Sequence, residues 1–139
     1  MGSEMCIRDR NDIHFKGHNI KIIVVNDSSI EINENIFVRS ITNVLNNAIR
    51  VSTEIEIVAD ITNELIKFSI HDNGPGIPDS EKSNVFKPFY RIDKSRNQNT
   101  FNSGLGLATT KALLSTINGK ISLHDSYMGG LEVIIEIPN

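Results

Sequence analysis

The stretch "SIHDNGPGIPDS", residues 69–80, decides how this chain is read: an alternating apolar segment runs into an aspartate, an asparagine, two glycines and two prolines. In "LIKFSIHD" (65–72) the side-chain period of a strand puts Ile66, Phe68, Ile70 and Asp72 on one face and Lys67, Ser69 and His71 on the other. The carboxylate of Asp72 thus points the way the core points, where an unpaired charge is costly to bury. Two readings of it are open from geometry. Asp72 caps the following turn through nearby backbone amides, or it receives a donor from a bound molecule. Gly74 and Gly76, in a turn stiffened by Pro75 and Pro78, would let something flat approach the backbone closely.

Working outward, "TEIEIVADI" (53–61) alternates in the same way, with Ile55, Ile57, Ala59 and Ile61 on one face and Glu54, Glu56 and Asp60 on the other. With only "TNE" between them, these two segments are expected to form an antiparallel hairpin whose outer face is wet. Upstream, "IKIIVV" (20–25) reads as a strand and "SSIEI" (28–32) as a short second one. From Ile36 to Val51, apolar residues at Val38, Ile41, Val44, Leu45, Ala48 and Ile49 follow the helical period. Downstream, "GLGLATTKALLSTI" starts a helix that is expected to stop at Asn118-Gly119, and "KISLHD" and "LEVIIEIP" are two last strands joined by a turn around Gly129-Gly130. The polar tract from Ile92 to Ser103 has no period and is long for a connection, as a mobile functional loop would be. The expected fold class is α/β (α+β): a two-layer α/β sandwich, its mixed, mostly antiparallel sheet covered on one face by helices.

At 139 residues, with 39% hydrophobic and 22% charged residues and a net charge of -3, the chain has room for one core and no footprint for nucleic acid. Its one cysteine, Cys6, excludes an internal disulfide. The sequence has neither a long apolar run nor a signal peptide, so the expectation is a cytoplasmic domain without direct membrane contact. The opening "MGSEMCIRDR" has no period and is expected to be a non-native or disordered leader, with the domain proper covering 11–139.

Three further patterns bear on chemistry. "NVLNNAIR" places asparagine at 43, 46 and 47 inside the helix, although asparagine is about half a kcal/mol or more worse than alanine there. Asn43, Asn47 and Arg50 form one stripe; amide oxygens are hard neutral ligands that magnesium accepts, and an arginine one turn on can meet a phosphate, while a solvated polar face explains the same stripe. "SGLGLA" puts Gly104 and Gly106 at a helix start, where free amides and the helix dipole face an anion. It is neither a P-loop nor a dinucleotide-binding fingerprint, since Thr109 stands where the third glycine would be. Between these lies "VFKPFYRIDKSR", where from Glu81 to Arg96 five basic residues (82, 87, 91, 94, 96) face two acidic ones, a charge excess that would draw a polyanion or simply keep a loop solvated.

The order of these patterns, N-x-x-x-N-A on a helix, D-x-G-x-G-I after a strand, F-x-P-F, and G-L-G-L before a helix, resembles the ATP-binding domain shared by sensor histidine kinases, Hsp90-type chaperones, type II topoisomerases and mismatch-repair ATPases (the GHKL superfamily, or Bergerat fold). "VFKPFYR" makes histidine kinases the nearest match, and the resemblance covers about residues 20 to 138. It implies that Asp72 accepts a hydrogen bond from the adenine amino group, with Gly74, Gly76 and Ile77 lining that pocket. Asn47 would hold Mg2+, with Asn43 beside it and Arg50 on phosphate. Phe86 and Phe89 would sit at the base of a lid whose Arg91, Lys94 and Arg96 meet phosphate, and Gly104, Leu105, Gly106 and Leu107 would form the phosphate-binding turn. The ATPase branches carry a glutamate where Asn43 stands; an amide cannot serve as general base for water, so transfer is favoured over hydrolysis.

The implied activity is that of the ATP- and Mg2+-dependent catalytic domain of a two-component kinase. Its partners would be a dimeric helical hairpin carrying the phosphoacceptor histidine and, downstream, a response regulator. None of His14, His18, His71 and His124 lies in an H-E-[LI]-[RK]-x-P acceptor pattern. Two departures from the family pattern, Asn102 where a further glycine is usual and Val51 where an aromatic residue often lies near the adenine, keep an alternative in view: a non-catalytic or degenerate ATP-binding regulatory module.

Overall fold

The computed structural model describes residues 11–15, 18–88 and 106–139. Six strands form one sheet in the order β1-β2-β3-β4-β6-β5, with β1 at Asn11–Phe15, β2 at His18–Asn26, β3 at Glu54–Ile61, β4 at Leu65–Asp72, β5 at Lys120–Asp125 and β6 at Leu131–Pro138. Only the β2 and β3 pair is parallel; every other neighbour is antiparallel. The parallel pair is joined by helix α1, Glu34–Val51, and a second helix, α2, spans Gly106–Ser115. This is the mixed sheet with helices on one face that the alternating patterns predict.

Local chemistry sets the helix limits. Asn33 caps α1: its side-chain oxygen accepts the Ile36 amide at 3.1 Å, satisfying one of the donors that a helix start leaves without a partner. Helix α2 ends at Ser115, three residues before the expected Asn118-Gly119. Those three residues continue as tight turns up to Asn118, which takes the left-handed φ of 62°, and the Gly119 amide then closes the end on the Leu114 carbonyl at 2.7 Å.

The core lies between the helices and one face of the sheet. Ile55, Ile57, Ala59 and Ile61 from β3, Ile66, Phe68 and Ile70 from β4, and Val133, Ile135 and Ile137 from β6 are buried with Phe37, Val44 and Ala48 of α1 and Leu114 of α2. Each fully buried isoleucine or leucine contributes roughly 1.5 to 3 kcal/mol relative to exposure. Phe37 meets Phe68 edge to face at 5.3 Å, which fixes α1 over β4.

Three expectations are corrected. "SSIEI" forms no strand. Its Ile30 is 1% exposed, so the segment is anchored in the core, but its polar backbone groups go to side chains: Asn139 receives the Glu31 amide at 3.0 Å and donates to the Ser29 carbonyl at 2.8 Å. A strand at Asn11–Phe15 was not foreseen; it extends the sheet on β2. Finally, the outer face is not wet throughout, since Ser69 and His71 on β4 are buried, His71 beneath the turn between β5 and β6.

Candidate functional site

The elements converge at the end of β4. Asp72 is the last residue of that strand and is only 4% exposed. Its Oδ1 accepts two backbone amides, Gly74 at 2.9 Å and Leu131 at 3.1 Å. The first is the turn bond expected of an aspartate two residues before a glycine. The second comes from the start of β6 and ties two loops to one oxygen. Among the described residues Oδ2 receives no hydrogen bond, so one half of a buried carboxylate is satisfied by backbone and the other keeps its acceptor capacity.

The surroundings admit little bulk. A Cβ on Gly130 would lie 2.2 Å from Asp72 Oδ1 and 2.7 Å from the Gly74 nitrogen, and one on Gly74 would lie 2.7 Å from the Val51 carbonyl oxygen. Gly76 takes a φ of +75° and rests against Gly130. The next residue, Ile77, is half-buried against the core, and its carbonyl accepts from Lys82 Nζ at 2.8 Å. The same ammonium reaches Asp79 at 2.6 Å and Asp125, at the end of β5, at 2.9 Å. The hydrogen bond to Asp79, reinforced by Asp125, raises the lysine pKa, and the Lys82 bond and charge hold the Asp79 carboxyl below its ordinary value. Lys82 is therefore engaged in clamping the glycine turn to β5, and its share of the local positive charge is not free to draw an anion.

The other predicted side chains lie on the last turns of α1. Asn47 is half-buried, and its Oδ1 accepts from Arg50 Nη2 at 3.0 Å. Partial desolvation lowers the pKa of the Arg50 guanidinium, which stays charged at neutral pH. Gly106, the first residue of α2, faces Asn47: a Cβ there would sit 3.4 Å from its Nδ2. Asn43, also half-buried, makes no side-chain hydrogen bond among the described residues. Leu107 packs on the core, as does Phe86, whose ring carries Lys111 Nζ 5.1 Å from its centre. Phe89, Arg91, Lys94, Arg96, Gly104 and Leu105, and the whole tract 92–103, lie outside the described residues.

The structure thus brings Asp72, Gly74, Gly76 and Ile77 together at one place, and Asn47, Arg50 and Gly106 at a second. Val51, 47% exposed, lies between them against Gly74. Sequence reasoning missed Gly130 and Leu131, which press on the Asp72 carboxylate from the far side. In the sequence the Gly129-Gly130 pair signals a turn; adjacent glycines are also a signal for a close backbone approach. Among the described residues no group of three His, Cys, Asp or Glu side chains could hold a metal, and no helix is long and apolar enough to cross a membrane.

Residues 32–139 match the family described as histidine kinase-, DNA gyrase B- and HSP90-like ATPases. The chain is 33% identical to the sensor histidine kinase CpxA of Escherichia coli (strain K12) over 107 residues, 76% of this chain and 23% of that protein. It is 35% identical to the sensor protein PhoQ of the same organism over 122 residues, 86% of this chain and 24% of the other. It therefore spans about a quarter of the length of these relatives. Among solved structures, a mycobacterial sensor histidine kinase, MprB, superposes with a TM-score of 0.71 at 25% identity, covering 86% of this chain and 80% of the other. The catalytic domain of the histidine kinase ThkA gives 0.72 at 26%, covering 84% and 76%. With the fold, the motif order and these likenesses in agreement, the chain belongs to the family of histidine kinase-, DNA gyrase B- and HSP90-like ATPases, the GHKL superfamily.

Proposed function

We propose that residues 11–139 are the ATP-binding catalytic domain of a sensor histidine kinase, which moves the γ-phosphoryl group of ATP to a histidine on a separate dimeric helical hairpin. The observation that carries the nucleotide part is the half-satisfied carboxylate of Asp72. Two amides fix its orientation through Oδ1, and Oδ2 is the acceptor for the adenine amino group, beside the half-buried Gly74 and Gly76. The kinase part is supported by the similarity to sensor histidine kinases and by Asn43, an amide where a hydrolytic relative needs a base.

In this reading Asn47, Arg50 and the amides at the start of α2 receive the phosphates. Mg2+ fits the donor set: Asn47 Oδ1 is a hard neutral oxygen with a second lone pair beside its Arg50 bond, and magnesium takes few protein ligands when phosphate oxygens and water complete its shell. Bound there, it would offset negative charge on the phosphates. The transfer forms a phosphorus–nitrogen bond to the acceptor imidazole as the bond to ADP breaks. The acceptor supplies the electron pair, so the task of this chain is to hold and align the nucleotide. Partners follow from that chemistry: the hairpin that presents the histidine, then a response regulator that receives the phosphoryl group.

Calorimetric titration tests the site. Asp72→Asn should fold and bind Mg-ATP about 5- to 150-fold more weakly, the ~1 to 3 kcal/mol of a charge-assisted hydrogen bond; unchanged affinity would remove Asp72 from the site. Incubation with labelled ATP tests the transfer. The chain alone should gain no acid-labile phosphate, and a supplied cognate hairpin should be labelled slowly, since tethering is lost. Stable labelling of His14, His18, His71 or His124 would refute the proposal.

A further inference from the structure

The turn between β5 and β6 is held from both faces of the sheet by two consecutive residues of β4. On the inner face, Asp72 Oδ1 takes the Leu131 amide. On the outer face, His71 is 8% exposed, and its Nδ1 lies 2.8 Å from Ser126 Oγ while its Nε2 lies 3.4 Å from Glu132 Oε2, its register partner on β6. His71 therefore touches the residue that opens the turn and one just past its close.

Ser126, 8% exposed, is the hub of that turn. Its Oγ accepts the Met128 amide at 3.0 Å, its carbonyl accepts the Gly129 amide at 3.0 Å, and its own amide donates to the Gly130 carbonyl at 2.9 Å. The tip needs such a hub. Gly129 has a φ of +100° with no atom within 4 Å of where a Cβ would be, and Tyr127 is 73% exposed. The Tyr127 ring lies edge-on to His71 at 5.0 Å, and its hydroxyl donates to Glu56, which adds one brace from β3. Ser126 Oγ thus meets both the Met128 amide and His71 Nδ1, while the other ring nitrogen faces Glu132.

We infer that His71 is a positioning residue for nucleotide binding: through Ser126 it keeps the β5–β6 turn in the shape that lays Gly130 and the Leu131 amide against Asp72, and so holds the carboxylate in the orientation that leaves Oδ2 for the adenine. This rests on the reading of Asp72 as the adenine acceptor. A histidine with a buried hydrogen bond on the outer face of the strand would otherwise be a fold anchor only, and the two roles are separable, because an anchor affects melting and leaves the affinity of the folded protein alone.

The test is Mg-ATP affinity of the whole chain by calorimetry, with melting temperature recorded for each variant. His71→Leu and Ser126→Ala should each raise Kd about three- to tenfold, as expected for a buried hydrogen bond, and the double variant should lose less than the two single losses combined, since both break the shared contact between Nδ1 and Oγ. His71→Asn, whose amide oxygen falls near the place of Nδ1, should recover most of the affinity, whereas His71→Gln, which reaches the place of Nε2, should not. Ser126→Ala keeps the test available if His71→Leu does not fold. Wild-type Kd in the folded His71→Leu or Ser126→Ala variant, or Asn no better than Leu at position 71, would overturn the inference. Asp72→Asn measured alongside separates the two failures: weak binding there with wild-type binding in the His71 and Ser126 variants sinks the positioning role alone, and wild-type binding in Asp72→Asn sinks the adenine reading beneath it.

Discussion

The two halves of the candidate site are built in different ways. At the Asp72 end the partners are backbone: amides of Gly74 and Leu131, and the close faces of Gly130 and of Val51 at the end of α1, gathered at the strand end around a carboxylate that is 4% exposed. At the Asn47 end they are side chains on the outer turns of α1, half-buried or exposed, with one hydrogen bond between Arg50 and Asn47 and the first residue of α2 alongside. The first arrangement cannot adjust without moving a strand end, which suits recognition of one rigid edge. The second can turn about side-chain bonds, which suits a flexible chain of phosphates. Substitutions will therefore be felt sharply at the first end and absorbed at the second.

The sharpest break should come at Gly130. An Ala there would place a methyl 2.2 Å from Asp72 Oδ1 and 2.6 Å from the Asp72 carbonyl oxygen, so the carboxylate must leave its place and the backbone at the end of β4 must shift. Gly130→Ala should cost about 1 to 3 kcal/mol of stability through overpacking and, by displacing the carboxylate, weaken Mg-ATP binding more than about 100-fold. Gly129→Ala is its control. With nothing within 4 Å, only the backbone strain at φ +100° is felt, so the melting temperature should fall slightly and affinity should stay within about twofold. Equal effects at both glycines would mean that the turn matters for its flexibility and not for its contact with Asp72.

A smaller and conditional effect is expected at the adaptable end. Asn47→Ala should lower affinity for ATP in the presence of magnesium by about tenfold and much less with chelator present, because a metal ligand counts only when the metal is there. Loss of the Arg50 bond is common to both conditions and sets the residual effect. Equal losses with and without magnesium would show that Asn47 serves only to orient Arg50, and the contrast between the two ends would then lie in burial alone.

The same contrast explains what the sequence made legible. Strands β3 and β4, α1 and the two last strands announce themselves by period, because burying one face requires it. Asp72 was legible as inward-pointing for the same reason, and its buried position follows directly from the alternation in "LIKFSIHD". What period cannot report is a contact between elements distant in the chain. Leu131 donates to Asp72 across 59 positions, and Asn139 anchors the 28–32 segment across about a hundred, so neither the role of the turn at Gly130 nor the irregular path of "SSIEI" is legible in local pattern. The same holds for Lys82: its positive charge is visible in the sequence, while its engagement with Asp125, 43 positions away, is not. Asn47 and Arg50, four residues or fewer from one another on one helix, were correctly placed side by side because helical spacing is local information.

The smallest expected effect tests whether nucleotide affinity follows the site or the general stability of the domain. Ser40 on α1 is fully buried, with 0% exposure, and its hydroxyl has no hydrogen-bond partner among the described residues. A buried hydroxyl that has given up water without a replacement costs stability, typically about 1 to 3 kcal/mol for an unsatisfied polar group, though the small void left by its removal takes some of that back. Alanine also forms helix more readily than serine. Ser40→Ala should therefore stabilise the chain by about 1 kcal/mol in denaturant unfolding with an unchanged slope. Because Ser40 touches neither end of the site, Mg-ATP affinity should remain that of the unsubstituted protein. A gain in stability accompanied by a change in affinity would mean that α1 shifts as a body when its core packing changes, carrying Asn47 and Arg50 with it, and the two ends would have to be treated as one coupled unit. A loss of stability would show instead that the Ser40 hydroxyl is satisfied in solution, by a buried water or by the carbonyl one turn earlier on the helix.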